Sequence, residues 1–333
     1  MSENNVLLEV KNLQVSFYLT EAIVQAVDGV NFTIEAGKTL GIVGESGCGK
    51  SVTARAILGM VRPPGKITNG EILYYDKSGV HTDLAKLTSD SKEIQRIRWS
   101  EIAMIFQEPM TSLSPVHTIG NQMIEAIKLH KDVSKSAAEA VSVDLMKRVG
   151  LPNPERLLQR YRHELSGGMR QRVMIAMALT CNPRLLIADE PTTALDVTTQ
   201  AQILDLMRDL QAEYQMAIMF ITHNLGVIAE MADKVIVMYL GKEVEVADVD
   251  TLFYKASHPY TQALMRSIPR HDVVVDRLET IEGTVPDPTA IPSGCAFYPR
   301  CHHYQAQICK VPPLIQVSDK HLVRCTRVHD LNQ

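Results

Sequence analysis

The chain lacks the charge of a polyanion binder. Lys and Arg number 34 against 38 Asp and Glu, for a formal net charge of −4. No basic excess is left to neutralise a phosphate backbone, so nucleic acid is disfavoured as the main partner. Long apolar runs are also missing. The longest, Val173 to Cys181, falls well short of the ~18 residues a bilayer span needs, and reads as a core helix. The N-terminus, Met1-Ser2-Glu3-Asn4-Asn5, is polar and has none of the basic-then-apolar pattern of a secretory signal. Together these features predict a cytosolic protein. Cysteine is sparse, and in that compartment the six present are expected to be thiols or metal ligands rather than disulfides. What remains, 45% hydrophobic and 22% charged residues, describes a globular chain with room for about two domains and a large core.

One stretch organises the rest. Gly44-Glu45-Ser46-Gly47-Cys48-Gly49-Lys50-Ser51 fits the phosphate-loop pattern G-x-x-x-x-G-K-[ST] at every fixed position. The apolar run Leu40 to Val43 leads in as a buried strand, and Ser51 to Leu58 leads out with helix-compatible residues. Glycines let backbone N–H groups turn inward around a polyphosphate, and the following helix points its positive end at the same anion. In such a loop Lys50 reaches the β- and γ-phosphates and the Ser51 hydroxyl ligates Mg²⁺. A nucleotide site is expected here. Cys48, beside the helix N-terminus and Lys50, is expected to gain thiolate character, or else to be shielded by packing.

Upstream, apolar residues alternate at Leu8-Glu9-Val10, at Leu13, Val15 and Phe17, and at Val30, Phe32 and Ile34, which predicts an antiparallel sheet with one wet face. Phe17 or Tyr18 is placed to offer a ring to a nucleotide base; core packing of Phe17 fits the alternation equally well. Downstream, Pro63-Pro64-Gly65 marks a loop, Gly70 to Tyr75 a strand, and residues 76 to 95 are polar and turn-rich. The strand Ile102 to Phe106 ends at Gln107-Glu108-Pro109. From Thr118 to Leu151 the period turns helical, with Ile119, Met123, Ile124 and Ile127 on one face and Val141, Leu145, Met146 and Val149 on another.

Two more polar punctuations follow. Ser166-Gly167-Gly168 precedes the apolar helix Val173 to Leu179, a second helix N-terminus ready for an anion and suited to a different nucleotide from the first. Within Arg184 to Pro191 a continuous apolar strand delivers Asp189 and Glu190 at its C-terminal edge, where ligands bind in open α/β sheets. Asp189 can hold Mg²⁺, directly or through water, and Glu190 can polarise an attacking water. The strand Ala217 to Ile221 ends at Thr222-His223-Asn224, which puts His223 on the same edge as a γ-phosphate sensor.

The order of phosphate loop, Gln107, Leu165-Ser166-Gly167-Gly168, Asp189-Glu190, Ala194-Leu195-Asp196 and His223 resembles the ATP-binding subunit of an ABC transporter, from about residue 7 to 250. Narrower stretches resemble the ATPases of dipeptide and oligopeptide importers: Gln107 to Leu113, Gly167 to Ala176, His258-Pro259-Tyr260-Thr261 and Pro292-Ser293-Gly294-Cys295. Ser114 and Ile291 depart from the family pattern away from any catalytic position. The resemblance implies an α/β fold: a P-loop core with an antiparallel β subdomain and an inserted helical subdomain, followed by a C-terminal Cys-rich extension. Its boundaries are residues 1–250 for the ATP-binding domain, with the helical insert at about 108–175, and 251–333 for the extension. It further implies ATP and Mg²⁺ as cofactors, with Gln107 contacting Mg²⁺ or the attacking water and Asp196 in the nucleotide-binding set. Each ATP would meet Lys50 and Ser51 of one subunit and Ser166, Gly167 and Gly168 of a second, expected to be a paralogue. The remaining implied partners are two membrane-spanning permease subunits, gripped by the helical insert, and an extracytoplasmic solute-binding protein acting through them. The subunit would then lie peripherally on the cytoplasmic face of the inner membrane.

From Asp272 onward the chain is rich in proline and cysteine. Cys295, Cys301, Cys309 and Cys325 cluster there, and four such thiols in a cytosolic protein point to metal ligation. No pair has the close C-x₂₋₄-C spacing usual for zinc, which suits a larger cofactor. Related importer ATPases can carry a [4Fe–4S] cluster at these cysteines, so that cluster is expected, with a mixed zinc site completed by His302, His303 or His321 as the alternative. The expected function is ATP hydrolysis that energises import of di- and oligopeptides. Nickel or another small solute is the alternative cargo, and a soluble ABC-type ATPase acting on nucleic acid or ribosomes is the alternative class.

Overall fold

The computed structural model describes residues 5–107, 112–193, 195–267 and 281–331. Of the stretches singled out above, Glu108 to Thr111 and Ala194 lie outside the described residues. The chain divides into two compact units, Met1–Ile34, Thr39–Lys86 and Thr222–Gln333 in the first, and Glu35–Lys38 with Leu87–Ile221 in the second.

The first unit opens with β1 (Val6–Tyr18), β2 (Ile23–Glu35), β3 (Thr39–Val43), helix α1 (Lys50–Ile57), β4 (Gly65–Tyr75) and β5 (His81–Asp83). Strands β2-β1-β4-β5 form one sheet, in which β1 and β4 run antiparallel with Leu8 opposite Tyr74 and Val10 opposite Ile72. The alternation reads true along β2, where Val30, Phe32 and Ile34 are buried. Along β1 it is broken: Leu7 and Leu8 are both buried, and the register slips between Lys11 and Val15, where Asn12 takes a positive φ of 47°. Such a bulge adds a residue and re-aims the side chains beyond it. β4 starts five residues before the expected Gly70, and the turn-rich stretch contains the short β5.

The second unit holds α2 (Lys92–Ile97), β6 (Ile102–Ile105), α3 (Ile119–His130), α4 (Lys135–Arg148), α5 (Pro154–Leu157), α6 (Gly167–Ala178), β7 (Leu185–Asp189), α7 (Val197–Tyr214) and β8 (Ala217–Ile221). Its strands lie parallel in the order β8-β7-β6, and every residue of all three is buried, as continuous apolar runs require. Each large side chain so buried contributes about 1.5–3 kcal/mol. Side-chain oxygens cap the helices: Thr118 accepts from Asn121 N, Ser134 from Ala137 N, Ser166 from Met169 N and Asp196 from Thr199 N. The inward face of α3 matches expectation at Ile119, Met123 and Ile127. On α4 Val141 is exposed, and Ala138, Ser142, Leu145 and Met146 turn in.

The chain then returns to the first unit with α8 (Leu225–Met231), β9 (Lys234–Tyr239), β10 (Lys242–Asp248), α9 (Val249–Lys255), α10 (Pro259–Arg266), β11 (Ile315–Ser318) and β12 (His321–Val323). Strand β3 pairs parallel with β9, and β10, β12 and β11 extend the sheet antiparallel. The C-terminal residues thus continue the sheet that carries the phosphate-loop strand. Buried Glu245 ties this region together: its carboxylate accepts from Ser257 N at 2.7 Å and His258 N at 3.0 Å, and meets His321 Nε2 at 2.8 Å. Among the described residues, no helix is long and apolar enough to cross a membrane.

Candidate functional site

Strand β3 ends at Val43 and α1 begins at Lys50, so Gly44 to Gly49 form the loop between them. Gly44 and Gly49 have φ of 151° and 101°. A Cβ at Gly44 would sit 2.2 Å from the Met238 carbonyl oxygen, and one at Gly49 would sit 2.2 Å from that of Ala26. Only glycine fits either position. The Lys50 ammonium, 5% exposed, donates to the carbonyl oxygens of Gly44 at 2.7 Å and Glu45 at 3.1 Å. A glycine-walled loop, a lysine folded onto it and a helix N-terminus make a cradle fit for a polyphosphate.

Cys48 departs from the thiolate expectation. It is 3% exposed, and burial pushes its thiol up despite the opposing pull of Lys50. Desolvation outweighs the ammonium here because burial strips the sulfur of the hydration that would stabilise its charge.

His223 also belongs to the first unit. It is exposed, and the preceding residue, Thr222, donates its N–H to Ile42 O at 3.2 Å. That bond ties the His223 segment to the strand leading into the phosphate loop. Asn224 caps α8 by accepting from Gly226 N at 2.9 Å. Of the two aromatic candidates, Phe17 lies over Gly65, with ring atoms 2.5 Å from where a Cβ would be. Tyr18 is exposed, with Lys66 Nζ 4.6 Å from its ring centroid.

In the second unit, β7 delivers Asp189, 1% exposed, and the chain turns sharply at Glu190, whose φ is 49°. The Glu190 N–H donates to Ile221 O at 2.8 Å, while Gln107 Nε2 donates to its carboxylate at 3.2 Å and Thr193 Oγ1 at 3.0 Å. Gln107 and Glu190, 83 residues apart in the chain, are joined by the fold, which adds Thr193, a residue that no sequence motif marks. Ser166 and Gly167 are exposed at the start of α6. A Cβ on Gly168 would lie 2.8 Å from the Thr199 methyl, so the starts of α6 and α7 abut. Asp196 caps α7 through Thr199 N at 2.9 Å and Thr199 Oγ1 at 2.7 Å, and these bonds lower its pKa.

The metal expectation for the C-terminal cysteines is overturned. Cys295, Cys301, Cys309 and Cys325 do line one pocket, together with Phe297 and Tyr298. Yet among the described residues no group of three or more His, Cys, Asp or Glu is arranged to hold a metal ion. The [4Fe–4S] cluster on these residues is therefore withdrawn, and the zinc alternative with it. Burial pushes the Cys295 thiol up to about 11 and raises those of Cys301 and Cys325. A metal binds the thiolate, and this setting favours the neutral thiol. Of the histidines, His321 meets Glu245, and His302 is exposed.

Two residues from the C-terminal region reach the phosphate loop within the first unit. Tyr260 OH accepts from Glu45 N at 2.9 Å, and Arg300 forms a two-point ion pair with the Glu45 carboxylate at 2.6 and 3.1 Å. Tyr260 sits in a stretch that carried the family resemblance; nothing in the sequence signalled Arg300.

Comparison with known proteins agrees with this geometry. A family model described as "ABC transporter" matches residues 27–193, and one described as "Oligopeptide/dipeptide transporter, C-terminal region" matches residues 244–309. The oligopeptide transport ATP-binding protein AppD of Bacillus subtilis (strain 168) is 52% identical over 298 residues, 89% of this chain and 89% of its own length. The dipeptide transport ATP-binding protein DppD of the same organism is 48% identical over 320 residues, covering 96% and 93%. Among solved structures, the dimeric post-hydrolysis state of the ATP-binding cassette MJ0796, bound to ADP and Pi, superposes with a TM-score of 0.64 at 27% identity. That match covers 73% of this chain and 99% of that one. Relatives near half identical along almost the full length, and a family model across the phosphate loop and the Asp189-Glu190 strand end, show that the chain belongs to the ABC transporter family, as an ATP-binding cassette ATPase.

Proposed function

We propose that this chain is the ATP-hydrolysing subunit that energises import of dipeptides and oligopeptides through a membrane permease. The observation that carries the reading is the loop Gly44–Ser51, walled by backbone where only glycine fits and closed by Lys50. The peptide cargo is supported by the match of residues 244–309 and by the names of the relatives. Nothing found favours nickel, another small solute or a nucleic-acid role.

In this reading the loop of Gly44, Glu45, Ser46, Gly47, Cys48, Gly49, Lys50 and Ser51 cradles the phosphates of ATP, with Glu45 a member of the loop backbone whose carboxylate is turned to Arg300, and Tyr18 or Phe17 offers a ring to adenine. Mg²⁺ takes oxygen donors; Ser51, Asp189 and Gln107 are the residues that would hold it, and it would supply charge neutralisation on the phosphates. Glu190 orients and polarises the attacking water, with Gln107 and Thr193 fixing its carboxylate, and His223 reads the γ-phosphate. Ser166, Gly167, Gly168 and Asp196 serve the nucleotide of a second, paralogous subunit. Residues 1–250 act as the ATP-binding domain, with the helical insert at about 108–175 meeting the permease, and 251–333 as its Cys-rich extension. The assembly places the chain on the cytoplasmic face of the inner membrane, with two permease subunits and an extracytoplasmic binding protein.

Co-expression with the permease pair, the paralogous ATPase and the binding protein, followed by reconstitution into vesicles, tests this. Short peptides should raise ATP hydrolysis and enter the vesicles only with ATP present. Transport of nickel but not peptide would overturn the cargo.

A further inference from the structure

Glu45 is the single acidic residue of a loop built for an anion. Its carboxylate would repel bound phosphates, more strongly where protein displaces water. Arg300 meets that charge, reaching it from a position 255 residues later in the chain. The Arg300 side chain is 3% exposed, and its fork spans both carboxylate oxygens at 2.6 and 3.1 Å. Nε donates to Glu282 O at 3.1 Å and Nη2 also to Ile281 O at 3.4 Å, and Nη1 lies 3.5 Å from Tyr239 OH. The rings of Tyr239 and Phe297 flank the guanidinium, each 6.0 Å from its central carbon.

The backbone of Glu45 is held as well. Its N–H donates to Tyr260 OH, and its carbonyl oxygen accepts from Lys50. Tyr260 is fully buried, with its ring centroid 4.7 Å from that of Tyr239 and 5.4 Å from that of Phe297. Carboxylate and N–H are therefore both fixed by residues outside the loop, through one aromatic cluster that also holds Arg300.

We propose that Arg300 is a positioning residue of the nucleotide site: it neutralises Glu45 and, with Tyr260, holds the loop in its ATP-binding conformation. This rests on the reading of Gly44–Ser51 as the ATP loop. It gives the C-terminal region a task in ATP affinity, separate from any contact with the permease. A planar two-point pair is a geometry that Lys cannot reproduce.

The test measures equilibrium MgATP binding to the purified full chain, with KM and kcat taken in the assembled transporter. Arg300→Met should weaken MgATP binding about tenfold, equivalent to ~1.4 kcal/mol. KM for ATP should rise by a similar factor while kcat stays within about twofold. Removing the unpaired charge as well, in Glu45→Gln/Arg300→Met, should bring binding back to within about twofold of the parent chain. A purely structural ion pair would lower thermal stability without this rescue. Arg300→Met binding at parental affinity, or a double variant no tighter than the single, would overturn the proposal. Should Arg300→Met fail to fold, Arg300→Lys carries the test: binding about threefold weaker supports the clamp, and parental binding sinks it. Lys50→Ala separates the two layers. Parental MgATP binding in Lys50→Ala refutes the loop reading itself, whereas lost binding there with an unaffected Arg300→Met refutes the clamp alone.

Discussion

Gln107 Nε2 and Thr193 Oγ1 both donate to Oε2 of Glu190, at 3.2 and 3.0 Å. The carboxylate proposed to polarise water is thus oriented from two sides, at a residue whose own φ of 49° turns it out of the strand. Glu190→Gln keeps the shape and removes the base, so steady-state hydrolysis should fall by at least ~10²-fold with MgATP binding retained. Thr193→Val should lower kcat about tenfold and leave KM for ATP nearly unchanged, because it misaligns the base without touching the phosphate loop, whereas Gln107→Ala should lower kcat by a similar factor and also raise KM, because it removes a proposed Mg²⁺ donor. Steady-state assays in the assembled transporter check all three. Parental turnover in Glu190→Gln would remove Glu190 from the mechanism.

Cys48 should react slowly with maleimide at neutral pH, because burial raises its thiol pKa over the pull of Lys50. Labelling should speed up as the fold is loosened by denaturant, and bound MgATP should slow it further. Mass spectrometry of the peptide containing Cys48 gives the rate; fast modification of the native chain at pH 7 would contradict the burial.

His258 is buried, and its Nδ1 accepts from Tyr260 N at 3.0 Å. Burial brings its pKa down from 6.5 to about 4. Between those values the unfolded chain binds a proton that the folded chain refuses, so stability is greatest above pH 6.5 and falls as pH drops toward 4. The gap corresponds to about 3 kcal/mol for this group alone. Chemical denaturation at pH 7 and pH 4.5 should show a smaller difference in His258→Gln than in the parent. An equal pH dependence in both would show that other groups set it.

Alone, the chain should hydrolyse ATP poorly, because the Ser166-Gly167-Gly168 helix start serves a second subunit's nucleotide in the proposed assembly. Adding the paralogous ATPase and permease should raise turnover. High activity in a homogeneous preparation, indifferent to the paralogue, would point to a homodimer.

How legible all this was depends on how local each feature is. The phosphate loop needs one contiguous stretch of residue types, and strands β7 and β8 are uninterrupted apolar runs, so both stood out. Phase on α4 did not: Val141 suggested an inward face, but packing selected the small residues Ala138 and Ser142, and Val141 faces out. For Cys48 the charged neighbours are visible in the sequence, whereas the burial that decides its pKa is not. Cysteine spacing likewise says nothing about burial or ligand geometry: Cys295, Cys301, Cys309 and Cys325 line one pocket, yet among the described residues they form no arrangement that holds a metal. The Arg300–Glu45 pair spans too much chain to leave any periodic trace, and Thr193 lacked a motif pointing to Glu190.

The central claim is that the loop Gly44–Ser51 and the Glu190 carboxylate power peptide uptake. Its most direct test is peptide-stimulated ATP hydrolysis in vesicles containing the permease, the binding protein, the paralogous ATPase and this chain as parent, Lys50→Ala or Glu190→Gln. The account predicts that short peptides raise hydrolysis in the parent, that Lys50→Ala loses MgATP binding, and that Glu190→Gln binds MgATP without turning it over. Peptide-stimulated hydrolysis at parental rates in either variant would contradict it.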